Sequence, residues 1–329
     1  MPTIEDVAKE AKVSVATVSR TINNNGSLSD KSRISVENAI KKLNYVPNML
    51  ARNLRRSESR VILALLPNIS NPFYASIIQG IEDTAIKDGY NIILCQTHSS
   101  LEREKSYFNL LKQKLADGII NMDPIIDNSF LLDISEKYPI VQCCEYSDEL
   151  NIPYVAIDNK GAAYRAIEHL ISIGRKSIAF INTDERFMYA RQRKEGYLQA
   201  LSDNRIEFRS EWVVNTNDDF ECAQRTFKYF LSLNKKPNAI FAVSDILAIG
   251  VIKAAAEASI SVPEDIAVIG FDNIPDSKMC TPAVTTISQP MYNIGCEACK
   301  MLIRKLMQDK NIPNKVLEVE LIIRGSTLK

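Results

Sequence analysis

The sequence contains little of what a catalytic site needs. Among its 329 residues there are only two histidines, His98 and His169, and neither a GxSxG nor an HExxH motif occurs. The stretch GRKS at 174–177 resembles the end of a phosphate-binding loop, but His169 stands where that motif requires a glycine. Cys296 and Cys299 are too few ligands for a zinc site. We therefore predict no catalytic residues, no metal site and no cofactor, which argues against an enzyme such as a sugar kinase.

Long hydrophobic runs are also missing. No apolar run reaches the roughly 18 residues of a membrane-spanning helix, and the N-terminal MPTIEDVAKE lacks the apolar stretch of a signal peptide. The seven cysteines are an odd number, scattered along the chain, and include the adjacent Cys143 and Cys144. This pattern favours reduced thiols over a disulfide framework. Together these features predict a cytoplasmic protein with no membrane partner.

The whole chain has no net charge, but its first part is positively charged. The 40 basic side chains balance 40 acidic ones, whereas residues 1–60 hold 11 Lys and Arg against 6 Asp and Glu, a net charge of +5. The rest of the chain therefore carries −5. Residues 38–57 contain five basic side chains and no acidic one. Such an asymmetry is expected where a protein meets phosphate groups, although a solvated helix face would look the same.

The first 45 residues have the periodicity of three short amphipathic helices. Ser14 can cap the second helix, and the third follows Ser29-Asp30 and should end before Pro47. Three such helices can share only a small core. The predicted apolar positions are Ile4, Val7, Ala8 and Ala11, then Val15, Val18 and Ile22, then Val36, Ala39, Ile40 and Leu43.

From Arg60 onward, short apolar runs alternate with amphipathic helical patterns, as in parallel strands covered on both faces. The runs are RVILALLP, YNIILCQT, GIIN, PIVQCC, YVAID, KSIAFIN, WVVN, AIFAVS and DIAVIGFD. Because so many strands favour two sheets over one, and the pattern restarts near Asp158, we predict two doubly wound α/β lobes with a cleft between them. Ligands bind such sheets beyond the carboxyl ends of the strands, here the loops at 71–74 and 272–273.

The stretch VAKEAKVSVATVSRTINN has the spacing of a helix-turn-helix, whose second helix enters the major groove. Arg20 can bond a guanine edge, Val15 and Ala16 can contact a thymine methyl group, and hydroxyl groups suit phosphates. The residues predicted to be exposed on this helix are Val15, Ala16, Thr17, Ser19 and Arg20. By geometry alone, a helical hairpin without a DNA-binding role remains an alternative.

Several segments, in order, resemble the LacI/GalR family of bacterial transcription regulators. TIEDVAKEAKVSVATVSRTINN and LNYVPNMLARNLR look like its headpiece and hinge. NPFYASIIQGIED, VAIDN, ARQRKEGYLQAL, SDILAIG, VPEDIAVIGFDN and TPAVTTISQP look like segments of its body. The resemblance implies an N-terminal three-helix helix-turn-helix headpiece, a hinge helix that folds on DNA, and a periplasmic-binding-protein-like body of two doubly wound α/β lobes that senses a small molecule and dimerises.

The resemblance also implies the domain boundaries. The headpiece takes residues 1–57, with the hinge helix at about 47–56, and the effector-binding and dimerisation domain takes 58–329. Within that domain the N-lobe comprises about 60–157 and 290–321, and the C-lobe comprises 158–289 and 322–329. The implied macromolecular partners are a second copy of the chain, forming a homodimer, and pseudo-palindromic double-stranded operator DNA.

The hinge has a physical interpretation as well. Pro47 fixes φ, and the helix after Asn48 spans barely two turns, too few to be stable alone in water. The family places a leucine in the minor groove, and Leu54 matches it, although a linker whose Leu54 packs on the body is the alternative. The residues implied to contact DNA are Thr3, Ser14, Val15, Ala16, Thr17, Ser19, Arg20, Asn23, Tyr45, Asn48, Ala51, Arg52, Leu54 and Arg55.

The body contains residues that match the family's effector site. Arg193 offers a planar fork for vicinal hydroxyl groups or a carboxylate, and Asp272 directly follows an apolar strand. Phe73 could equally be a core residue, and Asp272 could simply cap a turn. The residues implied to bind the effector are Phe73, Tyr74, Glu145, Tyr189, Arg193, Ser244, Asp272 and Gln289.

The sequence therefore predicts a repressor that a small carbohydrate, either a sugar or a sugar phosphate, releases from its operator. A nucleobase-responsive repressor is one alternative. The segment QPMYNIG also resembles the catabolite-control branch of the family, which uses a phosphoprotein corepressor. A transport receptor would share the fold of the body, but it would lack the headpiece.

Overall fold

The computed structural model describes residues 2–22, 28–46, 58–125, 128–309 and 311–328. The chain divides into two units, Met1–Ser59 and Arg60–Lys329. Each unit has its own hydrophobic core. In the described part of the chain, no helix combines the length and the apolar character needed to cross a membrane.

In the described part of the N-terminal unit there are three helices: α1 (Ile4–Ala11), α2 (Val15–Ile22) and α3 (Asp30–Leu43). Val7, Val18 and Val36, one from each helix, are fully buried at its centre. The predicted apolar positions are confirmed as this core. The exception is Val15, which is 38% exposed because it lies on the outer face of α2.

Short polar side chains begin these three helices. Thr3 and Asp6 form a capping box, in which each side chain bonds the other residue's backbone N–H. The Ser14 hydroxyl accepts the N–H of Thr17 at 3.1 Å, as the sequence predicts, and Ser29 caps α3. Such caps satisfy backbone donors that have no partner inside the helix.

Two six-stranded sheets form the body, so the predicted two-lobed α/β architecture is confirmed. The N-lobe sheet has the order β11-β5-β4-β3-β1-β2 and is parallel throughout. Its strands are β1 (Val61–Leu66), β2 (Asn91–Gln96), β3 (Gly118–Asn121), β4 (Ile140–Cys143), β5 (Tyr154–Ile157) and β11 (Lys315–Leu317).

The C-lobe sheet has the order β12-β10-β9-β8-β6-β7, in which only β12 is antiparallel to its neighbour. Its strands are β6 (Ile178–Asn182), β7 (Val213–Asn215), β8 (Ala239–Ala242), β9 (Ala267–Asp272), β10 (Thr285–Ser288) and β12 (Glu320–Ile322). All nine predicted apolar runs are strands, β1 to β9.

Helices cover both sheets, which is why the central strands are apolar on both faces. The N-lobe helices are α4 (Pro72–Lys87), α5 (Leu101–Lys112), α6 (Asn128–Ser135) and α11 (Met291–Leu306). The C-lobe helices are α7 (Asn159–Ser172), α8 (Met188–Asp203), α9 (Phe220–Ser232) and α10 (Asp245–Glu257), with short 3-10 turns at Ser210–Trp212 and Pro275–Lys278.

The chain passes between the lobes three times: between β5 and α7, between β10 and α11, and between β11 and β12. The last passage lies between Leu317 and Glu320, because β12 pairs with β10 in the C-lobe. The predicted division at about 321/322 falls inside β12. Strand β12 is only three residues long and carries no continuous apolar run that would have revealed it.

Helices α4 and α11 pack closely on the N-lobe because glycines lie at their contact. A Cβ atom built on Gly295 would overlap the carbonyl oxygen of Ile77, and one built on Gly80 would overlap that of Tyr292. The two backbones thus approach to a distance that leaves no room for a side chain. This contact holds α11 beside the strands that precede it by well over 100 residues.

We expect Gly295→Ala to lower the free energy of unfolding of the body by about 1 to 3 kcal/mol, since the added methyl group forces α4 and α11 apart. Denaturant unfolding measures this change. Lys300→Ala, at an exposed position of the same helix, serves as the control and should alter stability by less than about 1 kcal/mol. Equal stabilities of Gly295→Ala and the parent would contradict the close packing.

Candidate functional site

Helix α2 presents a small polar and apolar face to solvent. Its inner face contributes Val18, fully buried, while Val15, Ala16 and Arg20 are exposed. Thr17 and Ser19 are only partly exposed, less than the sequence predicts. An exposed arginine beside two short apolar side chains is a combination that can read base edges in a major groove.

Other residues predicted to contact DNA have structural contacts of their own or are outside the described residues. Thr3 and Ser14 use their hydroxyl groups to cap α1 and α2, which leaves further hydroxyl bonding capacity. Tyr45 packs against the headpiece core. The predicted contacts that lie outside the described residues are Asn23, Asn48, Ala51, Arg52, Leu54 and Arg55.

A cavity of about 720 Å³ lies between the two lobes of the body. Loops that follow β1, β3, β4, β6, β7, β8 and β9 line it, so it lies beyond the carboxyl ends of both sheets, as the fold predicts. All eight residues predicted to bind the effector line this cavity: Phe73, Tyr74, Glu145, Tyr189, Arg193, Ser244, Asp272 and Gln289.

Arg193, on α8, is the most constrained of these side chains. Its Nε donates a hydrogen bond to Asn159 Oδ1 at 2.9 Å, and its Nη1 donates to the carbonyl oxygen of Val243. The guanidinium carbon lies 3.4 Å from the ring centroid of Phe271, a cation–π contact. The side chain is only 6% exposed, and burial lowers its pKa while Asp272 opposes that shift. The contacts hold the guanidinium in one orientation.

Asp272, the last residue of β9, faces this guanidinium. Its Oδ1 lies 3.8 Å from Arg193 Nη1 and accepts a hydrogen bond from Gln289 Nε2 at 2.7 Å. Burial raises the pKa of Asp272 well above its usual value, an effect that Arg193 opposes. The residue has a φ of 108°, an uncommon conformation for a residue with a side chain. The backbone thus turns sharply at the end of β9 and directs the carboxylate into the cavity.

Asp218 and Asn159 are part of the same cluster and were missed among the predicted site residues. The Ser244 hydroxyl donates to Asp218 Oδ1, and burial raises the pKa of Asp218 while Arg193 opposes the shift. Asn159 holds Arg193 through its amide oxygen. Their signals were present but weak: Asp218 lies in a polar stretch after β7, and Asn159 ends the motif VAIDN.

Glu145 connects the two lobes. It follows β4 of the N-lobe, and its two carboxylate oxygens accept the backbone N–H groups of Met188 at 2.8 Å and Tyr189 at 3.0 Å, in the first turn of α8. Burial raises the pKa of Glu145 to about 7, and the two backbone hydrogen bonds oppose that rise. The carboxylate therefore caps a helix of the opposite lobe.

Aromatic side chains form the less polar walls of the cavity. Phe73 and Tyr74 of α4 contact each other edge to face at 5.1 Å, and Phe187 and Tyr189 lie nearly parallel at 5.7 Å. Phe73 also belongs to the hydrophobic core, so both interpretations of this residue hold. Flat apolar faces beside hydrogen-bonding groups suit the alternating C–H and O–H surfaces of a sugar.

The cysteines that the sequence analysis considered for a metal site lie one turn apart on α11. Cys299 is buried and Cys296 is partly exposed. Within the described ranges, no group of three or more His, Cys, Asp or Glu side chains could hold a metal ion.

The two units of the chain differ in what they can bind. The exposed face of α2 suits DNA, and the polar cavity of the body suits a small molecule, so the fold is that of a DNA-binding protein with a ligand-binding body. Residues 3–48 match the family model of bacterial regulatory proteins, lacI family. Residues 59–322 match that of periplasmic binding proteins and sugar binding domain of LacI family. The chain belongs to the LacI family and is a DNA-binding transcriptional regulator with an effector-binding domain.

Individual relatives agree with this assignment. The HTH-type transcriptional repressor CytR of Escherichia coli K12 is 37% identical over 329 residues, covering 99% of this chain and 96% of the relative. The Lac repressor dimer bound to operator and the anti-inducer ONPF has a TM-score of 0.91 at 26% identity, covering 100% of this chain and 99% of that chain. A LacI family regulator from Enterococcus faecium with bound ribose has a TM-score of 0.74 at 28% identity, covering 82% of this chain and 100% of that chain.

Asp245, the first residue of α10, lies behind the cavity and is fully buried. Its Oδ2 accepts the backbone N–H of Ile274 at 2.9 Å, and burial raises its pKa from 3.8 to about 7. Between these two values the folded chain keeps a proton that the unfolded chain has lost. The contribution of Asp245 to stability therefore falls as pH rises through this window.

We expect the difference in unfolding free energy between Asp245→Asn and the parent to change with pH. The variant should gain relative stability from about pH 4 to about pH 7, by at most about 1.4 kcal/mol per pH unit, because asparagine does not ionise. Urea unfolding at several pH values measures the difference. Asp203→Asn, on the exposed surface of α8, is the control. A pH-independent difference for Asp245→Asn would contradict the raised pKa.

Proposed function

We propose that this regulator is a repressor, and that a small polyhydroxyl effector bound in the cavity between the lobes releases it from its operator. The observation that carries the proposal is the cluster of Arg193 and Asp272, which are buried, with the partly buried Asp218, in a cavity whose walls come from both lobes. A ligand that contacts both lobes shifts the equilibrium between their arrangements by its difference in affinity for them. The eight predicted effector residues are assigned to this binding role.

A carbohydrate fits the chemistry of the cavity best. Arg193 and Asp272 can bond vicinal hydroxyl groups, and Phe73 and Tyr189 offer aromatic faces. The ribose in the related Enterococcus faecium regulator and the sugar-binding description of the matching family support this choice. A nucleobase compound, which would also use the aromatic walls, is the second candidate.

We assign the exposed face of α2 to operator recognition, with Arg20 as the base-reading residue. The hinge contacts, including the Leu54 wedge, are proposed on the family resemblance alone. A second copy of the chain completes the DNA-binding unit. Strand β2 supports a dimer, since it is an edge strand of the N-lobe with Ile93 48% and Leu94 40% exposed. The related Lac repressor is a dimer on its operator.

We expect Arg20→Ala to weaken operator binding by about 1 to 3 kcal/mol and to relax the preference at one base pair of each half-site, because one bidentate contact to a base edge is lost. Gel-shift titrations against the operator and single-base variants measure both effects. Arg33→Ala, at an exposed position of α3, is the control and should leave the base preference unchanged. Loss of operator affinity without any change in base-pair preference would show that Arg20 contacts a phosphate group and does not read a base.

We expect Arg193→Ala and Asp272→Ala to keep operator binding but to lose the response to the effector, because the differential contacts in the cavity are removed while the headpiece is unaffected. Gel shifts with and without effector and calorimetry of effector binding measure the two properties. Lys228→Ala, on the exposed face of α9, is the control. An Arg193→Ala variant that binds effector as tightly as the parent would show that this residue is not part of the site.

A further inference from the structure

The cavity between the lobes is rich in acidic side chains. Among the described residues that line it, seven are Asp or Glu, whereas two are arginines, Arg186 and Arg193. The acids that interact with Arg193 are Asp272 and Glu145, which are buried, and Asp218, which is partly buried. A ligand in this cavity therefore meets many more acidic than basic side chains.

The two arginines are already engaged by the protein itself. Arg193 donates from Nε to Asn159 and from Nη1 to the carbonyl oxygen of Val243, and its charge is shared between Asp218 and Asp272. Arg186 donates from Nε to Asp184 Oδ2 at 2.7 Å. An anionic ligand would have to compete with these carboxylates for both cations.

Five helices, α4, α7, α8, α9 and α10, begin at or next to residues that line the cavity, and helix N-termini commonly bind phosphate groups. Here side chains of the chain itself accept hydrogen bonds from N–H groups of the first turns. Asn71 accepts from Phe73 at 3.0 Å, and Asp219 accepts from Cys222 at 2.7 Å. Ser244 caps α10, and Glu145 caps α8. Asp158 caps α7, so three of these five caps are carboxylates, which also oppose the positive ends of their helices.

We propose that the cavity selects polyhydroxyl effectors that carry no phosphate or carboxylate group, and accepts them uncharged or bearing an amine. This inference rests on the proposed function and narrows it, because it removes sugar phosphates from the predicted effectors. An anion would oppose the ionisation of Asp218 and Asp272, and it would find the first turns of these helices already capped by side chains. An ammonium group would instead supply the positive charge that Arg193 alone provides for two carboxylates.

The pKa values of Asp218 and Asp272 also favour an amine-bearing effector over an anionic one. Burial raises the pKa of both Asp218 and Asp272. For Asp218 the hydrogen bond from Ser244 and then the charge of Arg193 oppose this rise, and for Asp272 the charge of Arg193 and then the hydrogen bond from Gln289 oppose it. A bound phosphate would raise the pKa values of Asp218 and Asp272 further. Binding of the anion would then be accompanied by uptake of a proton by these carboxylates. A bound amine would lower these pKa values and stabilise the carboxylates.

Calorimetry of the full-length protein with two series of sugars, each containing a neutral, an amine-bearing and a phosphorylated member, tests the proposal. The first series is ribose, 5-amino-5-deoxyribose and ribose 5-phosphate, and the second is glucose, glucosamine and glucose 6-phosphate. In whichever series binds, we expect the phosphate to bind at least about tenfold more weakly than its parent sugar, and the amine at least as tightly as the parent. A phosphate that binds as tightly as its parent overturns the proposal.

A variant links the selectivity to its cause. Asp218→Asn removes one negative charge while keeping an acceptor for Ser244, so the ratio of sugar to sugar phosphate affinity should fall severalfold. Asp203→Asn, an exposed acid on α8, should leave the ratio unchanged. Because the readout is a ratio, a general loss of affinity does not affect it, and an unchanged ratio in Asp218→Asn contradicts the electrostatic cause.

Operator release, measured separately by gel shift, distinguishes this inference from the function on which it rests. A sugar that binds with the expected charge preference but does not release the operator contradicts the proposed function alone. If no member of either series binds, the polyhydroxyl assignment is wrong, and the charge preference falls with it.

Discussion

The burial of one guanidinium group, that of Arg193, is the constraint on which the geometry of the cavity depends. A cation removed from water is costly unless its hydrogen bonds and charge are matched. The matching groups come from separate elements: Asn159 begins α7, Val243 follows β8, and Asp272 ends β9. Helix α7 must begin, and β8 and β9 must end, at these positions for the guanidinium to have its hydrogen-bond and charge partners. The buried guanidinium therefore fixes the relative positions of the strand ends that form the C-lobe side of the cavity.

The N-lobe contacts the C-lobe side of the cavity through Glu145. Its carboxylate satisfies backbone donors at the start of α8, the helix that also carries Arg193. Closure of the lobes and the position of the buried cation are thus connected through a single helix. This gives a physical route by which a ligand contacting Arg193 influences the arrangement of the two lobes, since both depend on where α8 begins.

The sequence predicted the architecture well because its signals are local. Nine continuous apolar runs became β1 to β9, and the three helices of the headpiece bury the positions that their periodicity indicated. Strands β10, β11 and β12 were not among the predicted runs: β10 has one apolar residue in four, and β11 and β12 have three residues each, only partly buried, at sheet edges. All eight predicted effector residues line one cavity. Six of them lie in family motifs, whereas Glu145 follows the predicted strand PIVQCC and Tyr189 directly precedes ARQRKEGYLQAL. Asp218 had no such motif, and only the folded chain brings it to Ser244 and Arg193.

The three passages between the lobes have a consequence for the way the body is made on the ribosome. Neither lobe is a contiguous segment, because α11 and β11 return to the N-lobe after most of the C-lobe has been built. The C-lobe in turn needs β12 and Ser326, whose hydroxyl donates to Val268 and whose backbone N–H donates to Ala283. Neither sheet can be completed until residues beyond 315 have emerged. Until synthesis is nearly over, the partly made body therefore has two incomplete sheets. Their open strand edges are sites at which other chains can pair.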